Sequence, residues 1–173
     1  MIKFFTISLV IVAALVPIAT AQESFHSIEN PQIDSDTFLQ HVTESHQLRS
    51  QRRISEQTFM EMAKDPNTII LDARTVERYN QLHVKGAKSL SFTEFTAENL
   101  AAVIPSKDTR ILIYCNNNFE NSPIAFATKA PSASLNLSTY TSLFSYGYRN
   151  VYELGPVIDP ANSQLQFEGS LSS

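Results

Sequence analysis

Ile111, Leu112, Ile113 and Tyr114 form an unbroken apolar run between Arg110 and Cys115. A strand with one wet face alternates polar and apolar residues, so a continuous run of this length fits a strand covered on both faces, as in a parallel α/β sheet. Cys115 then stands at the C-terminal end of that strand. In open α/β sheets this is the edge where departing loops form a crevice for ligands. Three asparagines follow directly, and so polar a loop predicts an exposed thiol, a candidate nucleophile. The competing reading is a buried, inert cysteine.

The rest of the chain repeats the layered pattern. An acidic start at Asp34 or Asp36, with Phe38, Val42 and Leu48 at helical spacing, predicts a first helix. Gln51-Arg52-Arg53 reads as a solvated linker. Phe59, Met60, Met62 and Ala63 give a second helix stopped by Asp65-Pro66-Asn67. Thr68 to Leu71 is a second buried strand ending at Asp72, Thr75 to Tyr79 a helical turn, and Lys88 to Phe92 a short strand. Thr93 is placed to cap a helix running through Phe95, Leu100, Ala101 and Ile104 to Pro105. Leu135 to Tyr146 is a helix with Leu135, Tyr140, Leu143 and Phe144 inward, closed by Gly147. Asn150 to Leu154 is the last strand. Helices alternating with apolar strands argue for a parallel sheet with helices on both faces.

Before this, Lys3, the apolar run Phe4 to Ile18 and Ala19-Thr20-Ala21 have the three parts of a secretory signal peptide. The core is short for a membrane span, so cleavage is expected before Gln22, with a periplasmic or secreted product free of the membrane. The residue after the cut is not cysteine, which excludes a lipid anchor there. The net charge of -4, one unit more negative without Lys3, lacks the basic footprint of a nucleic-acid binder. Exported proteins spend cysteines on disulfides, yet the single Cys115 has no partner in the chain. It is shielded, chemically used, or paired with another molecule. His41, Glu44 and His46 share a helix without a fourth ligand, so no metal site is expected there.

Asp72-Ala73-Arg74, then Glu77, Tyr79, His83-Val84 and Gly86-Ala87, then the strand ending in Cys115, then Asn150 to Leu154 after a glycine-closed helix, occur in the order and spacing of a known domain. Over Ile54 to Gly155 the sequence resembles a single rhodanese-like domain, with Leu82 in place of the family's glycine before His83. Taken with the signal peptide (1–21) and the predicted first helix, the resemblance divides the rest of the chain into an N-terminal helical extension (22–53), the domain (54–155) and a C-terminal tail (156–173). It implies the α/β fold of that family, a central parallel sheet with helices on both faces. In the family, a cysteine thiolate takes sulfane sulfur from a donor, becomes a persulfide and passes the sulfur to a thiophilic acceptor. By resemblance Cys115 is the nucleophile. Asn116, Asn117, Asn118, Phe119, Glu120, Asn121 and Ser122 form the loop around the substrate, and Asp72 and Arg74 lie on the same sheet edge, either lining the crevice or acting as a structural ion pair. The partner implied is a small sulfur-containing donor or a thiol acceptor. A protein partner stays open, and no cofactor is implied.

The loop departs from the usual pattern. Asn118 stands where a glycine lets the loop curl, a substitution asparagine tolerates through its access to left-handed backbone. Glu120 stands where a basic residue holds the anionic donor. A carboxylate near the sulfur disfavours the thiolate unless Glu120 faces solvent or Lys129 or Arg149 approaches. Pro123 to Ser134 separates the loop from the next helix, either as a lid or as a surface insertion. The alternative function is therefore a rhodanese-like binding module without catalysis. A phosphatase would need an arginine where Asn121 stands, and a thiol-disulfide oxidoreductase would need a second cysteine. Asn136-Leu137-Ser138 fits a glycosylation acceptor.

Overall fold

Among the described residues, four of the five α-helices begin on a side chain that captures an otherwise unpaired amide of the first turn. The computed structural model describes residues 30–172, and the expected signal peptide and its cleavage point lie outside them. Asp34 accepts the Thr37 N–H at 2.9 Å and opens α1 (Ser35–Ser50). After the short strand β1 (Arg53–Ile54), Ser55 accepts the Thr58 N–H at 3.1 Å and opens α2 (Glu56–Ala63). Then come β2 (Thr68–Asp72), α3 (Val76–Gln81), β3 (His83–Val84), β4 (Lys88–Ser89) and α4 (Ala97–Val103). The cap of α4 is Thr96, which accepts the Asn99 N–H, and not Thr93 as the sequence suggested; Thr93 instead lies in a 3-10 turn, Phe92–Glu94. Next are β5 (Arg110–Tyr114), α5 (Leu135–Ser145), β6 (Val151–Leu154) and β7 (Phe167–Glu168). Gly147 adopts the left-handed backbone that ends α5, with φ 89°.

The central sheet has five parallel strands in the order β1-β6-β5-β2-β4. β5 lies in its middle, which is why its four apolar residues need cover on both sides. Ile111 and Ile113 pack with Leu100 and Ile104 of the α4 segment and with Tyr140 and Leu143 of α5. Leu112 and Tyr114 point the other way, toward Phe59 of α2, Val84 and Leu154. Burying each such side chain contributes roughly 1.5–3 kcal/mol.

Two expectations are corrected by the packing. The first helix is present but turns a different face inward. Phe38 and Val42 are exposed, and α1 meets α5 through small and polar groups: Ser45 Oγ lies 3.0 Å from Thr141 Oγ1, and His41 Nδ1 lies 2.9 Å from Ser145 Oγ. The second correction concerns the residues after Gly155, read as surface loop and tail. Ile158 bridges to Phe119 in parallel, Leu165 enters the core, and β7 pairs antiparallel with β3. Glu56 holds this return segment by accepting the Ser163 hydroxyl and the Gln164 N–H at 2.5 and 2.8 Å.

Candidate functional site

Because β5 runs through the sheet centre, its C-terminal end delivers Cys115 to the rim between the loops of β2 and β6. The thiol is not exposed as the polar loop predicted: Cys115 retains 1% of its accessible surface. The reason lies in what the asparagines do. Residues 116–118 close a tight 3-10 turn, with the Asn118 N–H donating to Cys115 O and the Phe119 N–H to Asn116 O. Asn118, itself buried, accepts the Cys115 N–H at 2.9 Å and donates to Leu154 O and Pro156 O at 2.7 and 3.2 Å. Asn117 both donates to Lys129 O and accepts the Lys129 N–H. The loop is cross-braced to its surroundings, and the backbone N–H groups of residues 115, 118, 119 and 120 are all engaged.

The rest of the loop leaves the thiol. Phe119 packs in the core against Tyr114, Phe126 and Phe167. Glu120 is exposed and gives its N–H to Ile158 O. Asn121, not Asn118, is the residue with left-handed backbone, at φ 57°, and it donates to the Asp159 carboxylate at 3.0 Å. Accepting that bond holds the Asp159 carboxyl below the usual carboxylate range. Asn121 and Ser122 border a separate depression beside Asp159.

Asp72 and Arg74 form a buried pair, 0% and 2% exposed. The guanidinium reaches both carboxylate oxygens and also donates to Leu82 O and Ala125 O, while Tyr114 donates its hydroxyl to Asp72 at 2.6 Å. Burial pushes the Tyr114 phenol well above its ordinary range, and the Asp72 charge adds to this. Burial alone would lower the Arg74 pKa, but pairing with Asp72 outweighs it and the net direction is up. His83 is fixed between Tyr79 O and the Tyr79 ring, stacked at 3.7 Å, and does not reach the thiol as a base.

Residues 123–134 contain no α-helix; a 3-10 turn at Pro131–Ala133 leads into α5. The segment nevertheless returns to the cysteine, since Ser134, the residue before α5, places its hydroxyl 3.4 Å from Cys115 Sγ. Around this pair opens a cleft of about 530 Å³, bordered also by Asn117, Asn118, Lys129 and Asn136. Asn136 is buried and donates to Asn118 Oδ1 at 3.0 Å, so the apparent glycosylation acceptor faces inward. Asn116 and Arg74 border a second cleft of about 450 Å³, which shares Thr128 and Lys129 with the first.

Two cations in the first cleft were missed by sequence reasoning. Arg49, from the last turn of α1, and Arg53, from β1, both border it together with Glu153. Arg49 pairs with both Glu153 oxygens, and Arg53 Nε lies 3.7 Å from the same carboxylate. A solvated linker was the natural reading of Arg52-Arg53, since nothing local reveals that Arg53 aligns with Glu153 across a parallel strand pair a hundred residues apart. Of the cations weighed from sequence, Lys129 borders the cleft, whereas Arg149 lies over the Phe144 ring on α5.

A family model for the rhodanese-like domain matches residues 55–155, and the chain belongs to that family. Among solved structures, the BH2092 protein of Bacillus halodurans is similar at 20% identity and a TM-score of 0.51, over 75% of this chain and 85% of that one. The rhodanese-like domain of the Anabaena sp. Alr3790 protein is similar at 16% identity and a TM-score of 0.49, over 70% and 82%. An E. coli rhodanese solved with anions is 22% identical at a TM-score of 0.41, over 60% and 99%. At such identities the likeness is one of fold. Among curated proteins none matches.

Proposed function

We propose that this protein is an exported sulfur carrier or sulfurtransferase that holds a persulfide on Cys115. The observation that carries the reading is the placement of Cys115 Sγ at the start of α5, 3.4 Å from the Ser134 hydroxyl, in a cleft that Arg49, Arg53 and Lys129 border. A helix N-terminus and cationic side chains stabilise an anionic sulfur. The acidic Glu120 faces solvent and does not oppose this. In the reaction, the Cys115 thiolate attacks the outer sulfur of a donor such as thiosulfate. A sulfur–sulfur bond forms to Cys115 and the donor's own bond to that sulfur breaks, releasing sulfite with its electron pair. An acceptor thiolate then takes the outer sulfur and regenerates Cys115.

Export is supported by Lys3, the apolar run Phe4 to Ile18 and Ala19-Thr20-Ala21; a mature N-terminus at Gln22 in a periplasmic or secreted fraction is the expected finding. For the chemistry, mass spectrometry of the purified protein incubated with thiosulfate should show one added sulfur atom on Cys115, absent in Cys115→Ser. Equal cyanide-dependent thiocyanate production by the two proteins, or no added sulfur in the wild type, would favour the non-catalytic binding module instead.

A further inference from the structure

We propose that Arg53, seated with Arg49 on the buried carboxylate of Glu153, is the anion-recognising residue of the Cys115 cleft, and that the cleft selects organic ligands bearing a carboxylate or sulfonate group. This deepens the sulfur-carrier reading by assigning its substrate class, and it makes the segment ahead of the matched domain part of the site. The matched domain begins at residue 55, whereas Arg49 and Arg53 precede it.

Glu153 lies on β6 and is buried, and a buried carboxylate demands a cationic partner. Arg49 meets that demand alone, with a two-oxygen contact. Arg53 is therefore a second guanidinium around one carboxylate, and its positive charge is left over at the cleft beside that of the exposed Lys129. Its side chain is 50% exposed, and among the described residues its hydrogen bond is to Gly155 O at 3.1 Å. Most of its five N–H donors remain free for a ligand. A planar guanidinium with free donors matches a carboxylate or sulfonate edge.

Size and a second polar group point the same way. A water molecule occupies about 30 Å³ of liquid, so a cleft of about 530 Å³ exceeds what a small inorganic anion fills. Asn136 is 2% exposed, borders the cleft, and has an Oδ1 with no hydrogen-bond partner. Its amide nitrogen is fixed on Asn118, which leaves that oxygen to accept from a ligand. A buried acceptor without a partner costs free energy that a ligand N–H would recover. The arrangement fits a thiol compound with its sulfur at Cys115, an N–H at Asn136 and its anionic group at Arg53.

The test uses alkylation of Cys115 by iodoacetate and by iodoacetamide, which share a mechanism and differ in charge. In the wild type the iodoacetate-to-iodoacetamide rate ratio should fall as salt is raised. In Arg53→Gln the ratio should drop about fivefold at low salt and lose part of its salt dependence, as expected for removing one partly exposed charge while Lys129 remains. Arg53→Lys should keep most of the ratio, and Arg149→Gln, a cation outside the cleft, all of it. A wild-type ratio indifferent to salt, an unchanged ratio in Arg53→Gln, or labelling by neither reagent until the protein is denatured would each overturn the proposal. Sulfur loading is measured separately: loss of loading with the charge preference intact sinks the carrier reading and leaves Arg53's role standing.

Discussion

The Cys115 thiol and the Ser134 hydroxyl lie 3.4 Å apart although they stand nineteen positions apart in the chain. In the usual family pattern the helix follows the loop at once. Here the chain makes an excursion through Pro123 and Pro131 and comes back to present the start of α5 to the sulfur. If Ser134 donates to an anionic sulfur, its loss removes a charge-assisted hydrogen bond of roughly 1.5–3 kcal/mol. Ser134→Ala should slow the loading of Cys115 from thiosulfate by about tenfold or more, read as the time course of the sulfur-bearing mass, with an unchanged circular dichroism spectrum. Loading at the wild-type rate would show that the hydroxyl is a bystander.

Asn118 occupies the family's glycine position, yet it serves as a brace. Its side chain accepts the Cys115 and Asn136 N–H groups and donates to Leu154 O and Pro156 O. Truncation strands a buried backbone N–H and two carbonyls, each worth about 1–3 kcal/mol when unsatisfied and only partly relieved by water. Asn118→Ala should lower stability to urea by about 2–4 kcal/mol. Asn118→Gly should do no better, because the position has no left-handed backbone to relieve. A glycine variant as stable as the wild type would mean that the loop can curl in the usual way.

What the sequence disclosed and what it hid divide along physical lines. The β5 run, the Phe59 helix, the Tyr140–Phe144 helix and the family's D-x-R and glycine marks were legible, because burial on two faces and chain reversal leave local signatures. The direction of α1 was not. Its apolar residues Phe38 and Val42 advertise one face, but the helix packs through Ser45, where a small hydroxyl residue permits close approach to Thr141. The return of residues 158–168 was hidden for a similar reason: Ile158, Leu165 and Phe167 are spaced without a period among polar residues. The cleft's arginines were hidden because their meaning depends on strand alignment across a hundred residues.

The Asp72–Arg74 pair is a lock between strand β2 and the segments carrying Leu82 and Ala125. Arg74 also lies 4.3 Å from the Phe126 ring centre, above its face. Removing the guanidinium leaves a buried carboxylate with only Tyr114 and the Arg74 backbone N–H as donors. Arg74→Met should cost about 3–5 kcal/mol. Adding Asp72→Asn to it should recover part of that loss, since the stranded charge is gone. A double variant less stable than the single by the full cost of Asp72→Asn would argue that the two residues act independently.

Alkaline unfolding offers a check on two of the buried phenols, Tyr114 and Tyr140. Burial pushes Tyr140 from 10.0 up to about 12, and burial with the Asp72 charge raises Tyr114 well above its ordinary value. In the unfolded chain both ionise near pH 10. Above that pH the unfolded state gives up protons that the native state keeps, so it binds fewer protons and stability falls as pH rises. Below pH about 10 neither tyrosine contributes a slope. From there to about 12, Tyr140 should contribute up to ~1.4 kcal/mol of lost stability per pH unit, with Tyr114 adding in the same direction, after which Tyr140 ionises in the native state as well and its share levels off. The urea midpoint followed from pH 8 to 12 should therefore be steady and then fall. Tyr140→Phe, which also forfeits the hydroxyl bond to Val151 O, should be less stable than the wild type by about 1 kcal/mol at neutral pH and show a shallower alkaline decline. An identical decline in the two proteins would mean that Tyr140 ionises as readily in the folded chain as in the unfolded one.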